Sequence, residues 1–392
     1  MSTLISKKHS LTALRKKLKQ HYNGQKVAVA GGAGFVGRHL VNLLSDFVGV
    51  DGMVMVLDDF SRGMNVAHHP NVYYVFQTPQ SKYMPYELLP PERASRLVAF
   101  KGDTTISYMG IDVRKDNYSY LLEDVSSFFN LAAVVAGVLH NQNHHFQMFD
   151  DNMRVLTGPL RACEQAGVPA FFQTSSVCVY AEAYQSPCDD YRDWGGDPNP
   201  ANVGYATAKR NGELAASWAN IERVVIGRPS NIIGPHDYFD SKAHVVPAFI
   251  HRSITTQGTF VAYGSATVQR EFIFSWDVAL GMATAMAFGE NREAYNIGTW
   301  GDTTIAMLSL AHKINSIVDR VSQYGEHERR VLFDNTIGGG DERRYSSGGK
   351  LAALGWEHAV DLDSALEMCV MEYLYRGGWT EPDYWKEFIE DV

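Results

Sequence analysis

Cysteine is scarce in this chain: Cys163, Cys178, Cys188 and Cys369 are the only four among 392 residues, and no two form a CxxC pair. That excludes a disulfide framework and points to a reducing compartment, with the cytoplasm as the default. No apolar run approaches the roughly 20 residues of a membrane span, so no membrane association is expected. Positive charge is also in deficit. At a formal net charge of −9 the chain lacks the basic surface that phosphate backbones demand, which argues against nucleic acid as a partner. Internal repeats and low-complexity tracts are missing. Residues 1–25 in turn contain no acid, and Leu11, Leu14 and Leu18 recur at helical spacing. They read as a basic helix packed on the first domain rather than a transit peptide. The remaining composition, 45% hydrophobic and 20% charged, is that of a globular protein long enough for one large or two unequal domains.

What the chain does have is a glycine turn in a telling place. The run GGAGFVG at 31–37 follows VAVA, a short buried strand, and precedes RHLVNLLSDF, an apolar-periodic helix. Gly31 permits a tight strand-to-helix turn, and Gly34 lets backbone N–H groups approach a pyrophosphate. Gly37 lets the helix pack closely on the sheet, while Phe35 and Val36 open its first turn. About 20 residues on, MVMVLDDF reads as a second strand ending at Asp58, where a dinucleotide's adenosine ribose would be held. A carboxylate there favours NAD(H), whereas Arg62 works toward NADP(H), so both cofactors stay open. Asp112 and Val113 in GIDVRKD supply the next strand-end contact. Residues at about 70–108 then form an insertion, with room for strands of its own. SSFFNLAAVVAG is a further strand, and Leu131, Ala132 and Ala133 at its end would let a cofactor lie close. A helix is expected from about Asp151 to Ala166. The alternation predicts an α/β fold, a doubly wound parallel sheet of Rossmann type over 26–234. A smaller C-terminal α/β substrate lobe covers 235–392, with segments returning to the main sheet.

Tyr205 and Lys209 are four apart and share one helix face. A phenol of ordinary pKa about 10 needs an adjacent ammonium to act as an acid/base near neutrality. Ser176, at the preceding strand end, would hydrogen-bond the same oxygen. Cys178, two residues on, is taken alone a buried core thiol, and His244 a loop or core histidine. His140, His144 and His145 invite a zinc reading, but no third ligand follows at a persuasive spacing and no metal is expected.

Together these motifs resemble the extended short-chain dehydrogenase/reductase superfamily over nearly everything after residue 26. Within it, AAVVAGVLHNQNHHFQMFDDNM, SSVCVY, RPSNIIGPHDYFDSKAHVVPAFIHR and YGSATVQREFIF are similar to segments of GDP-L-fucose synthases. The resemblance implies that Cys178 and His244 exchange protons at carbons 3 and 5 of a 4-keto hexose. It further implies that Asn231, Arg252, Arg270 and Arg344 hold a nucleotide-diphosphate sugar, GDP-linked, and that the chain is a homodimer built through a helix pair. GDP-mannose 3,5-epimerases are a neighbouring resemblance. They place a lysine opposite the cysteine, and Lys242 lies two residues before His244, so net reduction and redox-neutral epimerisation both stay open. A 4,6-dehydratase would need an Asp-Glu pair where Val177 and Cys178 stand. A non-enzymatic cofactor sensor on the same fold would not need the Tyr/Lys pair.

Overall fold

The computed structural model describes residues 2–61, 72–76, 96–101, 104–181, 194–239, 243–256, 258–321, 329–336 and 342–375. Arg62, Lys242, Cys188 and most of the expected insertion lie outside them. The chain opens with α1 (Ser2–Tyr22), β1 (Lys26–Ala30), α2 (Phe35–Val48) and β2 (Met53–Asp58). Next come β3 (Val72–Phe76), β4 (Arg96–Lys101), β5 (Thr104–Gly110) and β6 (Ser127–Asn130). The helices α3 (Val138–Asn143) and α4 (His145–Ala166) lead to β7 (Ala170–Thr174), α5 (Val203–Trp218) and β8 (Arg223–Pro229). Among the described residues these strands and β12 (Glu293–Ile297) form one nine-stranded sheet, ordered β12-β8-β7-β6-β1-β2-β5-β4-β3. Seven of the nine are parallel. β4 pairs antiparallel with both β5 and β3, and the two extend the edge beyond β5.

The continuous apolar runs follow from burial on both faces. Val27 and Val29 of β1 enter one core layer with Val54 and Val56 of β2. Ala28 and Ala30 enter the opposite layer with Met55 and Leu57. α1 adds to the first layer: Leu11, Leu14, Leu18 and Tyr22 are buried there, and the Tyr22 hydroxyl donates to the Ala283 carbonyl at 2.9 Å. α4 begins at His145, six residues before the expected Asp151. Its first turns show no apolar stripe, since Met148 is buried while Phe146 is exposed. They are held by Asn152, which donates to the carbonyls of Met148 and Val134 at 2.8 and 2.9 Å.

The chain continues with β9 (Asn231–Ile233), α6 (Val245–Thr255), β10 (Thr259–Tyr263), β11 (Gln269–Phe274) and α7 (Ser275–Phe288). After β12 follow β13 (Thr304–Ala306), α8 (Met307–Val321), β14 (Arg330–Asp334), β15 (Arg343–Arg344), α9 (Gly349–Ala353) and α10 (Leu362–Tyr375). β11 is the hub, pairing with β9, β13 and β15. Glu271, fully buried on β11, accepts from the backbone N–H groups of Thr299, Gly301 and Ser346 at 2.7, 3.0 and 3.1 Å. A carboxylate saturated in this way fixes two loops, the one after β12 and the one after β15, beside Arg270 and Arg344.

Candidate active site

The glycine turn is shaped by contacts that a side chain would destroy. Gly31 has φ +74°, and a Cβ there would stand 2.9 Å from the Ala132 nitrogen at the end of β6. A Cβ on Gly37 would fall 2.1 Å from the Gly31 carbonyl oxygen, so the first turn of α2 rests directly on the loop. Gly34 caps that helix, and its N–H donates to the Gly31 carbonyl at 3.1 Å. Asp58 closes the cradle. Its carboxylate accepts from the N–H groups of Ala33 at 3.0 Å and Phe60 at 2.9 Å, while burial raises its pKa. A helix N-terminus beside a strand-end carboxylate suits a dinucleotide: Gly31, Gly34, Phe35, Val36 and Gly37 would hold the pyrophosphate and Asp58 the ribose. Val113 is buried next to Asp112, which pairs with Arg114 Nε and Nη2 at 2.8 and 3.0 Å. That bond holds the Asp112 carboxyl down at about 2. Arg114 also reaches Asp59 at 3.5 Å and Asp151 at 3.6 Å. Leu131, Ala132 and Ala133 line the same edge, half-buried.

The catalytic candidates converge at the end of β7. Ser176 caps a 3-10 turn, Val177–Val179, its hydroxyl accepting from the Cys178 N–H at 3.2 Å. The same Ser176 side chain is hydrogen-bonded to the Tyr205 phenol. Burial raises the phenol's pKa, Cys178 adds to the rise, and the Ser176 bond opposes it. Lys209, one turn further along α5, is almost wholly buried and donates to the Thr174 carbonyl at 2.9 Å. Its Nζ lies 5.6 Å from the centre of the Tyr205 ring. Burial pushes the Lys209 ammonium down to about 8, against the opposing pull of Cys178 and Glu213. Ser176, Cys178, Tyr205 and Lys209 are thus one cluster.

Arg344 joins it from β15, its Nη1 3.3 Å from Cys178 Sγ. Arg270 is opposite Arg344 in the β11–β15 register, and its own Nη1 donates to the Gln269 carbonyl at 2.7 Å. Arg252 is engaged on β10: it donates to the Val261 carbonyl at 2.9 Å and lies over the Tyr263 ring at 5.5 Å. Asn231 ties β9 to β11 by donating to the Glu271 carbonyl at 2.8 Å. His244 stands at the N-terminus of α6, 41% exposed, with Nδ1 3.4 Å from the Asp237 carboxylate. Among the described residues no group of three His, Cys, Asp or Glu side chains could hold a metal ion. His140 and His144 stack on each other at 4.2 Å. No helix among those residues is long and apolar enough to cross a membrane.

Sequence reasoning missed the groups that hold this cluster in place. Glu213 makes a bidentate pair with Arg228 at 2.8 and 2.6 Å, accepts from Ser175 Oγ at 2.5 Å, and receives Trp194 Nε1 at 3.1 Å. Arg228 also reaches the Tyr180 hydroxyl at 2.9 Å. The spacing of Glu213, four residues after Lys209, was the available signal. Asp237 had none, because only the folded loop brings it to His244.

A phosphate turn on the first strand, with a phenol and an ammonium below the end of a strand two places along the sheet, is the layout of extended short-chain dehydrogenases/reductases. Residues 27–298 match the model of the NAD dependent epimerase/dehydratase family, and the chain belongs to that family. It is an NAD(P)-dependent enzyme. A probable GDP-L-fucose synthase of Drosophila melanogaster is 25% identical over 269 residues, 64% of this chain and 81% of that protein. The GDP-L-fucose synthase of Escherichia coli (strain K12) is 28% identical over 275 residues, 65% of this chain and 82% of that protein. Among solved structures, a UDP-N-acetylglucosamine 4-epimerase from Methanobrevibacter ruminantium M1 superposes with a TM-score of 0.69 at 19% identity. That superposition covers 90% of this chain and 99% of the epimerase, a likeness of fold.

Proposed function

We propose that this enzyme inverts carbons 3 and 5 of a 4-keto hexose carried on a nucleoside diphosphate, GDP by preference, and exchanges hydride at carbon 4. The observation that carries this reading is the thiol of Cys178 in one cluster with Ser176 and Tyr205, faced by Arg344. A simple dehydrogenase has no use for a thiol at that place, whereas a carbon acid needs a base there.

NAD(P)H, when bound, supplies the hydride for carbon 4. Tyr205 manages the proton on the carbon 4 oxygen, and Ser176 donates a second hydrogen bond to that oxygen. Lys209 stabilises negative charge on the phenol while anchored to the Thr174 carbonyl. While carbon 4 is a ketone, the C–H bonds at carbons 3 and 5 are acidic, because deprotonation delocalises the charge onto the carbon 4 oxygen, where the Tyr205 and Ser176 donors stabilise it further. Cys178 takes the proton from one face of the ring, and His244 returns one to the other. Arg270 and Arg344, joined by Arg252, hold the diphosphate, whose paired oxygens match guanidinium forks.

Asp58 supports NAD(H) over NADP(H), since its carboxylate repels a 2′-phosphate. An NAD recycled within one turnover suits the second reading, a redox-neutral epimerase on the same residues. The reaction would take place in the cytoplasm, in a homodimer. GDP-4-keto-6-deoxymannose and GDP-mannose, each offered with and without NAD(P)H, separate the cases by cofactor absorbance and product NMR. Stoichiometric consumption of the reduced cofactor is the expected result and marks an epimerase/reductase. Inversion without consumption marks the redox-neutral enzyme, and no turnover of either sugar overturns both.

A further inference from the structure

From the loop that follows β9 we infer that Asp237 is the positioning residue of His244, fixing which ring nitrogen delivers the proton. Three observations carry this. First, Asp237 is buried to 3% exposure, and its carboxylate is aimed by a bond from the Tyr238 N–H at 2.8 Å. Second, its other oxygen faces His244 Nδ1 at 3.4 Å, while the His244 side chain itself remains 41% exposed. Third, the turn that presents Asp237 is over-determined. His236, immediately before it, sits at φ +75°, a left-handed conformation that non-glycine residues rarely hold. Glu372 of α10 pins that turn by accepting from the His236 N–H at 2.8 Å. A left-handed residue stapled by a separate helix is costly to keep, and its effect here is to turn the next carboxylate inward onto the imidazole.

A carboxylate at Nδ1 selects the tautomer that carries its proton there, leaving Nε2 as the nitrogen that exchanges with substrate. It also stabilises positive charge on the ring, which favours a histidine that donates a proton to carbon over one that removes it. The proton balance is simple. Cys178 accepts a proton from the sugar carbon, Nε2–H of the imidazolium gives one to the opposite face, and Nδ1–H stays with Asp237 throughout. The inference rests on the epimerase reading above, and the test keeps the two apart.

In heavy water, a proton returned from the Cys178 face exchanges deuterium into the sugar with retention, whereas one returned by His244 gives inversion. The measurement is therefore the ratio of inversion to exchange at carbons 3 and 5 of GDP-4-keto-6-deoxymannose, followed by NMR. In Asp237→Asn, inversion should fall by about 100-fold, the lower end of what a positioned general acid contributes. Exchange with retention should persist, and Asp237→Glu should restore part of the inversion. A merely structural role would slow both processes alike and leave the ratio unmoved, which would overturn the assignment. Absence of exchange in the wild-type enzyme would overturn the epimerase reading and this one with it. Should Asp237→Asn fail to fold, nitrogen-15 spectra of the wild-type imidazole still decide: protonated Nδ1 supports the assignment, and bare Nδ1 with protonated Nε2 sinks it.

Discussion

Lys209 is a charged group held where charge is expensive. Burial lowers its pKa from an ordinary value near 10.5 to about 8, and the Thr174 carbonyl is the acceptor that makes its position tolerable. The sign matters for both stability and catalysis. Between about pH 8 and pH 10.5 the unfolded chain binds the lysine proton more tightly than the folded one, so this group opposes folding below pH 8 and ceases to as pH rises. On the roles proposed above, catalysis runs the other way, because the phenol of Tyr205 needs the ammonium charged. Turnover should therefore decline on the alkaline side with an apparent pKa near 8, a value that belongs to the Tyr205–Cys178–Lys209 cluster as a whole. Glu213 holds the lysine pKa up, so Glu213→Gln should move the limb to lower pH in a kcat–pH profile. A limb that stays where it was would show that Lys209 is not its source.

At the level of elements, α5 is locked to the sheet by one buried ion pair. Arg228 on β8 is completely buried, and Glu213 on α5 answers it with both carboxylate oxygens. Removing one partner strands the other without its counter-charge, so Arg228→Met should lower stability by about 3–5 kcal/mol in denaturant unfolding. Replacing both, as Arg228→Met with Glu213→Leu, should recover most of that loss; a double variant no more stable than the single one would contradict the account. This pair also marks the limit of what could be read from residues alone. β1, the glycine turn, α2 and β2 were legible because the chemistry of each is local: an unbroken apolar run in VAVA, a positive φ at Gly31, a strand-end acid at Asp58. Tyr205 and Lys209 were legible because helical periodicity places them on one face. The partners of Arg228 and His244 were not, since no helix or strand periodicity spans either pair: Glu213 meets Arg228 only when α5 packs on β8, and Asp237 meets His244 only through the fold of their loop. Arg344 is intermediate: the family resemblance assigned it to a diphosphate, while its contact with Cys178 depends on β15 pairing with β11.

Across the whole molecule, α5, which carries Tyr205 and Lys209, is also a surface helix. α5 faces inward with Ala208, Lys209 and Gly212 and outward with Leu214 and Trp218, the latter 76% exposed. It touches α4 very closely: a Cβ on Gly204 would lie 2.1 Å from the His145 carbonyl oxygen, and one on Gly212 would lie 2.7 Å from a Leu156 methyl. α4 in turn exposes Phe146 to 80%. Two large aromatics open to water on a tightly joined helix pair are unusual for a monomer, because aromatic surface of that size gains most by being covered. A second copy of the same pair would cover them symmetrically, and a stable two-fold contact would bury on the order of 1,200–2,000 Å² in total. Such a contact would brace α5 from outside, on the side opposite Tyr205 and Lys209. Sedimentation equilibrium should accordingly give a dimer for the wild-type chain. Trp218→Glu should shift it toward monomer and reduce turnover while leaving the glycine turn able to bind NAD(H). A wild-type chain that sediments as a monomer at working concentration would remove the helix pair from any role in assembly, and α5 would then be braced from within the chain, by its packing on α4 and by the Arg228–Glu213 pair.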